Sequence, residues 1–162
     1  MGRMSPLPAQ FTDRWSDRAG EPSFEDAVCW HVLLGGQAAV RAVAADARQR
    51  LAGFGGLHWT PMRWLHMTVF LAGPAADIGP DARREMVARA SSRLAATAPV
   101  TVTLSRVFYH PEAIVLDASP ASALSPVFDA AQAATREVTG GPVTVLVCAG
   151  LVTVAVLITI TM

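Results

Sequence analysis

The chain has 162 residues, of which 52% are hydrophobic and 16% charged, with 13 basic and 13 acidic side chains in balance. That length suits one domain with a real core, and the formal charge of zero argues against a broad basic face for nucleic acid, though not against a phosphate held by a few arginines. Every basic residue is an arginine, which rules out a lysine nucleophile and the lysine of a P-loop.

Residues 1–26 are rich in proline, glycine and charge. Residues 1–10 are expected as a loose tail, and Phe11 and Trp15 as aromatics packing on the domain. No apolar stretch follows a basic start, so no signal peptide is expected and the cytoplasm is the expected compartment. The two cysteines, Cys29 and Cys148, sit in apolar runs outside any CxxC pair and read as buried thiols in a reducing setting. They assemble no zinc cluster.

A strand is expected over residues 27–34, closed by Gly35-Gly36. Val28, Trp30, Val32 and Leu34 line one face; Cys29, His31 and Leu33 line the other. His31 reads first as an ordinary strand histidine satisfied by backbone or water, and only second as a cleft residue. Residues 37–52 follow as a helix, with Val40, Val43, Ala44, Ala47 and Leu51 at helical spacing. Residues 57–60 make a short strand or loop before Pro61.

The next stretch is Trp64-Leu65-His66-Met67-Thr68-Val69-Phe70-Leu71-Ala72-Gly73, an apolar strand carrying one histidine and one threonine two positions apart. Strict alternation puts His66, Thr68 and Phe70 on one face and Met67, Val69 and Leu71 on the other. The two polar groups would then stand roughly 6.5–7 Å apart along the strand. An imidazole that moves a proton beside a hydroxyl that holds an oxygen suits work on one small group. Gly73-Pro74 ends the strand.

A second helix is expected over residues 80–97, started near Asp77 and Pro80, with Met86, Val87, Ala90 and Leu94 as its apolar stripe. Residues 100–109 and 114–116 read as a hairpin around His110-Pro111-Glu112. A third helix begins at Ser119 or Ser122 and runs to about Val138, with Leu124, Val127, Phe128, Ala131 and Thr135 inside. Gly140-Gly141-Pro142 stops it.

Residues 143–162 carry no charge and are mostly Val, Ile, Leu and Thr. Twenty such residues have the length of a membrane span. Their β-branching, and the break at Ala149-Gly150, favour a buried strand pair over a membrane anchor. The element order as a whole is α+β, a curved and mostly antiparallel sheet with helices packed outside it.

Trp30-His31-Val32-Leu33-Leu34, the helix after it, and the stretch from Trp64 to Gly73 together resemble the 2H phosphoesterase superfamily, in its 2′-5′ RNA ligase-like branch. The resemblance covers residues 11–145, with 146–162 left as a separate apolar segment. It implies a bilobal fold in which each lobe contributes a His-x-Thr/Ser strand to a shared cleft. It further implies a general base and a general acid acting on a 2′,3′-cyclic phosphate or a 2′-5′ phosphodiester, without metal or other cofactor. The partner would be an RNA end or a small nucleotide. A monomer is expected, separately from the resemblance. His66 and Thr68 match the first motif and are the catalytic candidates. Thr144 matches the threonine of the second motif, but Pro142 stands where its histidine belongs, and no histidine follows His110. The C-terminal lobe is thus incomplete in its motif, and weak or absent turnover is expected. Thr144, Arg63 and Trp64 are the substrate-binding candidates, and Arg106 is a further cleft candidate. Trp30, Trp59 and Trp64 are rings able to stack on a base, although core packing is the first expectation for Trp30 and Trp64. Two other classes compete: a non-catalytic module that binds a nucleotide or RNA end, and a small membrane-tethered domain.

Overall fold

The computed structural model describes residues 27–110, 113–141, 153–155 and 158–160. The N-terminal tail, Phe11, Trp15, Thr144 and Cys148 lie outside the described residues. In chain order the elements are β1 (Ala27–Leu33), α1 (Ala38–Leu51), β2 (Leu57–Trp59), β3 (His66–Pro74), α2 (Pro80–Leu94), β4 (Thr103–His110), β5 (Ala113–Ser119), α3 (Ser125–Thr139), β6 (Thr153–Ala155) and β7 (Ile158–Ile160). Short 3-10 turns at Met62–Trp64 and Ala121–Leu124 precede β3 and α3. The class is α+β.

Local chemistry accounts for most boundaries. Proline occupies the first turn of α2 and of α3, where the missing N–H costs nothing. Gly140 closes α3 in the left-handed conformation (φ 67°), and its N–H donates to the Arg136 carbonyl at 2.9 Å. The stripe that each helix buries is narrower than its apolar spacing suggests. Ala44 is buried on α1, and Met86 and Ala90 on α2, whereas Val43 is 45% exposed and Val87 56%. Val43 lies one residue before buried Ala44 and Val87 one residue after buried Met86, so each is about 100° round the helix and off the contact line.

Five strands form one antiparallel sheet in the order β1-β3-β6-β5-β4. β2 and β7 form a separate two-stranded antiparallel sheet. The apolar C-terminal run therefore supplies strands to both sheets, and β6 and β7 each pair with other elements rather than with one another. No helix among the described residues is long and apolar enough to cross a membrane.

The core covers one face of the five-stranded sheet. Directly paired residues of an antiparallel ladder share a face. Val32 pairs with Met67, and Trp30 with Phe70. Met67 packs with Ala44 of α1, Leu65 and Ala118, with Val32 and Leu116 against them. Phe70 packs with Ala72, Ile78, Met86 of α2 and Ala131 of α3, with Trp30 and Phe128 against them. The Trp30 and Phe70 rings lie 6.4 Å apart, and those of Phe70 and Phe128 5.5 Å. Such aromatic pairs add about 0.5–1.5 kcal/mol beyond the area they bury. The Trp30 Nε1–H donates to Thr135 Oγ1 at 2.9 Å, and that hydroxyl donates to the Ala131 carbonyl at 2.9 Å. The buried threonine and the indole are thereby both satisfied.

Strict alternation fails within β3. Trp30 pairs with Phe70, but His31 pairs with Thr68, so Val69 is an extra residue on β3 with no partner of its own. This β-bulge reverses the parity of the strand. Phe70, expected beside His66 and Thr68, turns instead to the helix-covered side and is 1% exposed. The physical cause is the pocket between α2, α3 and Trp30, which accepts a large ring that the other face would leave in water.

Candidate functional site

The face opposite the helices carries the polar groups. His31 on β1 pairs with Thr68 on β3, and Leu33 pairs with His66, so all four project from the same side. His31 and Thr68 are exposed and His66 is partly buried. The two catalytic candidates thus stand side by side on an extended segment at the solvent face, as alternation over 66–68 predicts.

Three contacts shape the group. The His66 Nδ1 lies 2.8 Å from the Trp64 carbonyl oxygen. A carbonyl only accepts, so Nδ1 carries the proton and the lone pair of neutral His66 sits on Nε2. The His31 Nδ1 lies 3.3 Å from Thr68 Oγ1. The two imidazoles meet edge to face, with centroids 4.5 Å apart and planes at 70°. Although His31 reaches solvent, the atoms packed around its ring desolvate it and lower its pKa to about 4, and the neighbouring His66 adds to the effect. His31 is therefore neutral at pH 7.

The scaffold holds this group from beneath. The Leu34 N–H donates to the Leu65 carbonyl at 2.7 Å, tying the end of β1 to the residue before His66. A Cβ on Gly35 would lie 2.9 Å from the Arg63 Cα and 3.0 Å from its carbonyl carbon. The β1–α1 turn thus rests directly on the backbone of the 3-10 turn that presents Trp64. An Arg41 Nη1–H, from the first turn of α1, donates to the Gly35 carbonyl at 2.8 Å and secures the turn further.

The remaining candidates divide. Trp64 contributes its carbonyl to His66, and its indole is 53% exposed rather than packed in the core. Trp30 does pack in the core, through Phe70 and Thr135. Trp59 lies against Arg48, whose guanidinium carbon is 5.6 Å from the ring centroid. Arg63 is exposed on the 3-10 turn. Thr144 and the side chain of Arg106 lie outside what is described. Leu33 stands exposed at 57% directly across from His66, so an apolar flank borders the imidazole.

Two residues join the candidates. His31, for which an ordinary strand histidine is the first expectation and a cleft residue the second, takes the cleft position, as its parity with Cys29 and Leu33 signals. Asp117 is the other; it is buried on β5 and alternates with Leu116 and Ala118, which pack in the core. It therefore belongs to the face of His31 and Thr68, two strands from Thr68, or about 10 Å across the sheet. Cys29 shares that face as well, and burial raises its thiol pKa, which disfavours the thiolate. Among the described residues no group of three or more His, Cys, Asp or Glu could hold a metal ion.

No family model matches this chain, and no curated protein or solved structure matches it either.

Proposed function

We propose that this sheet face handles a phosphoester, with His66 as general base and Thr68 as the donor to a phosphoryl oxygen. The substrate class is a 2′,3′-cyclic phosphate or a 2′-5′ phosphodiester on an RNA end or small nucleotide, as in the 2H phosphoesterases of the 2′-5′ RNA ligase-like type. One observation carries the reading. The Trp64 carbonyl holds the Nδ1 proton of His66, which leaves Nε2 basic, with Thr68 exposed two residues along the same face. Exposed Leu33, across from His66, and the exposed indole of Trp64, two residues before it, suit a nucleobase next to the phosphate.

In the hydrolytic direction a water oxygen attacks phosphorus and gives its proton to His66 Nε2. The Thr68 hydroxyl donates to a phosphoryl oxygen as charge builds there. The bond from phosphorus to one ribose oxygen then breaks, and that oxygen takes a proton. In a complete two-motif site a second histidine supplies it. Here β6 is the strand paired with the other edge of β3, and Ala155 is the residue across from His66. The place of the second motif, Pro142-Val143-Thr144, holds no histidine and lies outside the described residues, and β6 contributes none either. Solvent must then protonate the leaving oxygen, at a cost of about 10²- to 10⁴-fold in rate. No metal or cofactor enters this chemistry.

The test is turnover of a 2′,3′-cyclic nucleotide by the purified chain. Slow hydrolysis that disappears in His66→Ala is expected. An absence of turnover above the blank rejects the enzyme. The missing second histidine also favours a non-catalytic reading of the same face, as a binding site for a phosphorylated nucleotide. That reading predicts saturable binding of a 2′-phosphorylated nucleotide, weakened in Thr68→Ala; no binding at millimolar ligand removes it.

A further inference from the structure

We propose that His31, which belongs to no His-x-Thr motif, is a positioning residue for Thr68: its ring sets the direction in which the Thr68 hydroxyl donates. The inference rests on the phosphoester reading and adds a residue to it. Three observations converge.

The first is register. Continuing the Trp30–Phe70 pairing without the bulge would set Val69 opposite His31; the extra residue brings Thr68 there instead. Bulges recur beside active sites because they re-aim a side chain. The second is contact: Nδ1 of His31 lies within hydrogen-bond reach of the hydroxyl, at 3.3 Å. The third is spacing. The His31 and His66 rings touch, with centroids 4.5 Å apart, so no phosphorus atom fits between them. His31 is thus badly placed to be the acid on the far side of an in-line displacement. It acts through Thr68.

The chemistry follows from proton counting. A hydroxyl has one proton and rotates to suit its partners. If neutral His31 carries its proton on Nε2, Nδ1 accepts the Thr68 proton, and the threonine shows an anion only lone pairs. If the proton is on Nδ1, that N–H donates to Oγ1, and the Thr68 proton is free to point at a phosphoryl oxygen. The two tautomers differ only in where one proton sits, and an approaching anion selects the second. Burial and His66 keep His31 neutral at pH 7, so both tautomers are accessible there.

The experiment is an NMR titration of the whole chain with adenosine 2′-monophosphate, on wild type, His31→Asn and His31→Leu. Asparagine keeps a hydrogen-bonding atom close to the place of Nδ1; leucine keeps bulk without polarity. Affinity about five- to tenfold weaker is expected in His31→Leu, and affinity within about twofold of wild type in His31→Asn. Long-range ¹H–¹⁵N spectra of wild type should show the His31 proton settling on Nδ1 as ligand saturates. If wild type binds and His31→Leu binds equally well, the role of His31 is overturned while the phosphoester reading stands. If wild type shows no saturable binding, that reading falls and takes this one with it. Should His31→Leu fail to fold, the wild-type tautomer decides alone: a proton that stays on Nε2 in the saturated complex overturns the proposal.

Discussion

Replacing Gly35 by alanine would drive a methyl group into backbone, not into a side chain that can swing away. The new Cβ would lie 2.9 Å from the Arg63 Cα and 3.0 Å from the Arg63 carbonyl carbon. Carbon atoms normally rest about 3.5–4.0 Å apart, so the 3-10 turn at Met62–Trp64 must retreat by about 0.5–1 Å. Overpacking of this kind costs about 1–3 kcal/mol. The retreat carries Leu65 with it and strains the 2.7 Å bond from the Leu34 N–H, worth about 1 kcal/mol more. The total is about 2–4 kcal/mol, at about 2–4 °C of melting temperature for each kcal/mol in a chain of this size. Gly36 is the internal control. A Cβ there meets nothing within 4 Å, so Gly36→Ala should be neutral or stabilising by up to about 1 kcal/mol. Urea unfolding followed by tryptophan fluorescence measures both variants. A Gly35→Ala midpoint within about 0.5 kcal/mol of Gly36→Ala would show that the turn does not rest on the 3-10 backbone, and the stated support for His66 would fail with it.

Other consequences are open to the same assay. Phe70→Ala should cost about 3–5 kcal/mol, the range for a buried ring. A loss below about 1 kcal/mol would put Phe70 on the solvent face and deny the bulge at Val69. Trp30→Phe keeps the ring but removes the donor to Thr135, which retains its bond to the Ala131 carbonyl; a loss of about 1 kcal/mol is expected, and no loss would mean that the indole N–H contributes nothing. Stability should also fall in mild acid. His31 stays neutral in the folded state down to about 4, whereas in the unfolded chain it takes a proton near its ordinary 6.5. Between those values the unfolded chain binds the extra proton, so this contribution is whole above about pH 6.5 and is lost as pH falls toward 4. The ring is partly exposed, and water screens the effect to the order of 1 kcal/mol. Comparing urea midpoints at pH 7 and pH 4.5 tests this: His31→Asn should show a smaller drop than wild type, and an equal drop would assign the acid sensitivity to other groups.

Much of the layout is legible from local patterns. Glycine and proline punctuate the chain at Gly35, Pro80 and Gly140, and each stands at an element boundary in the structure. Helical spacing finds α1, α2 and α3, and over-counts their buried residues at Val43 and Val87 because it cannot say how narrow each contact is. The C-terminal run reads as strands from its β-branched residues, but its division between two sheets depends on partners far away in sequence.

The candidate site divides in the same way. His66 and Thr68 share a face because they are two residues apart on one strand, and that spacing is written in the sequence alone. Their link to His31 spans 37 residues, and Val69 must bulge before Thr68 comes opposite that ring. The packing of Phe70 among Trp30, Phe128 and Met86 favours this arrangement, and no single stretch of chain contains it. Local periodicity records what each residue prefers with its near neighbours. Register, bulges and the meeting of two imidazoles follow from how strands and helices fit together, and only the tertiary structure decides them.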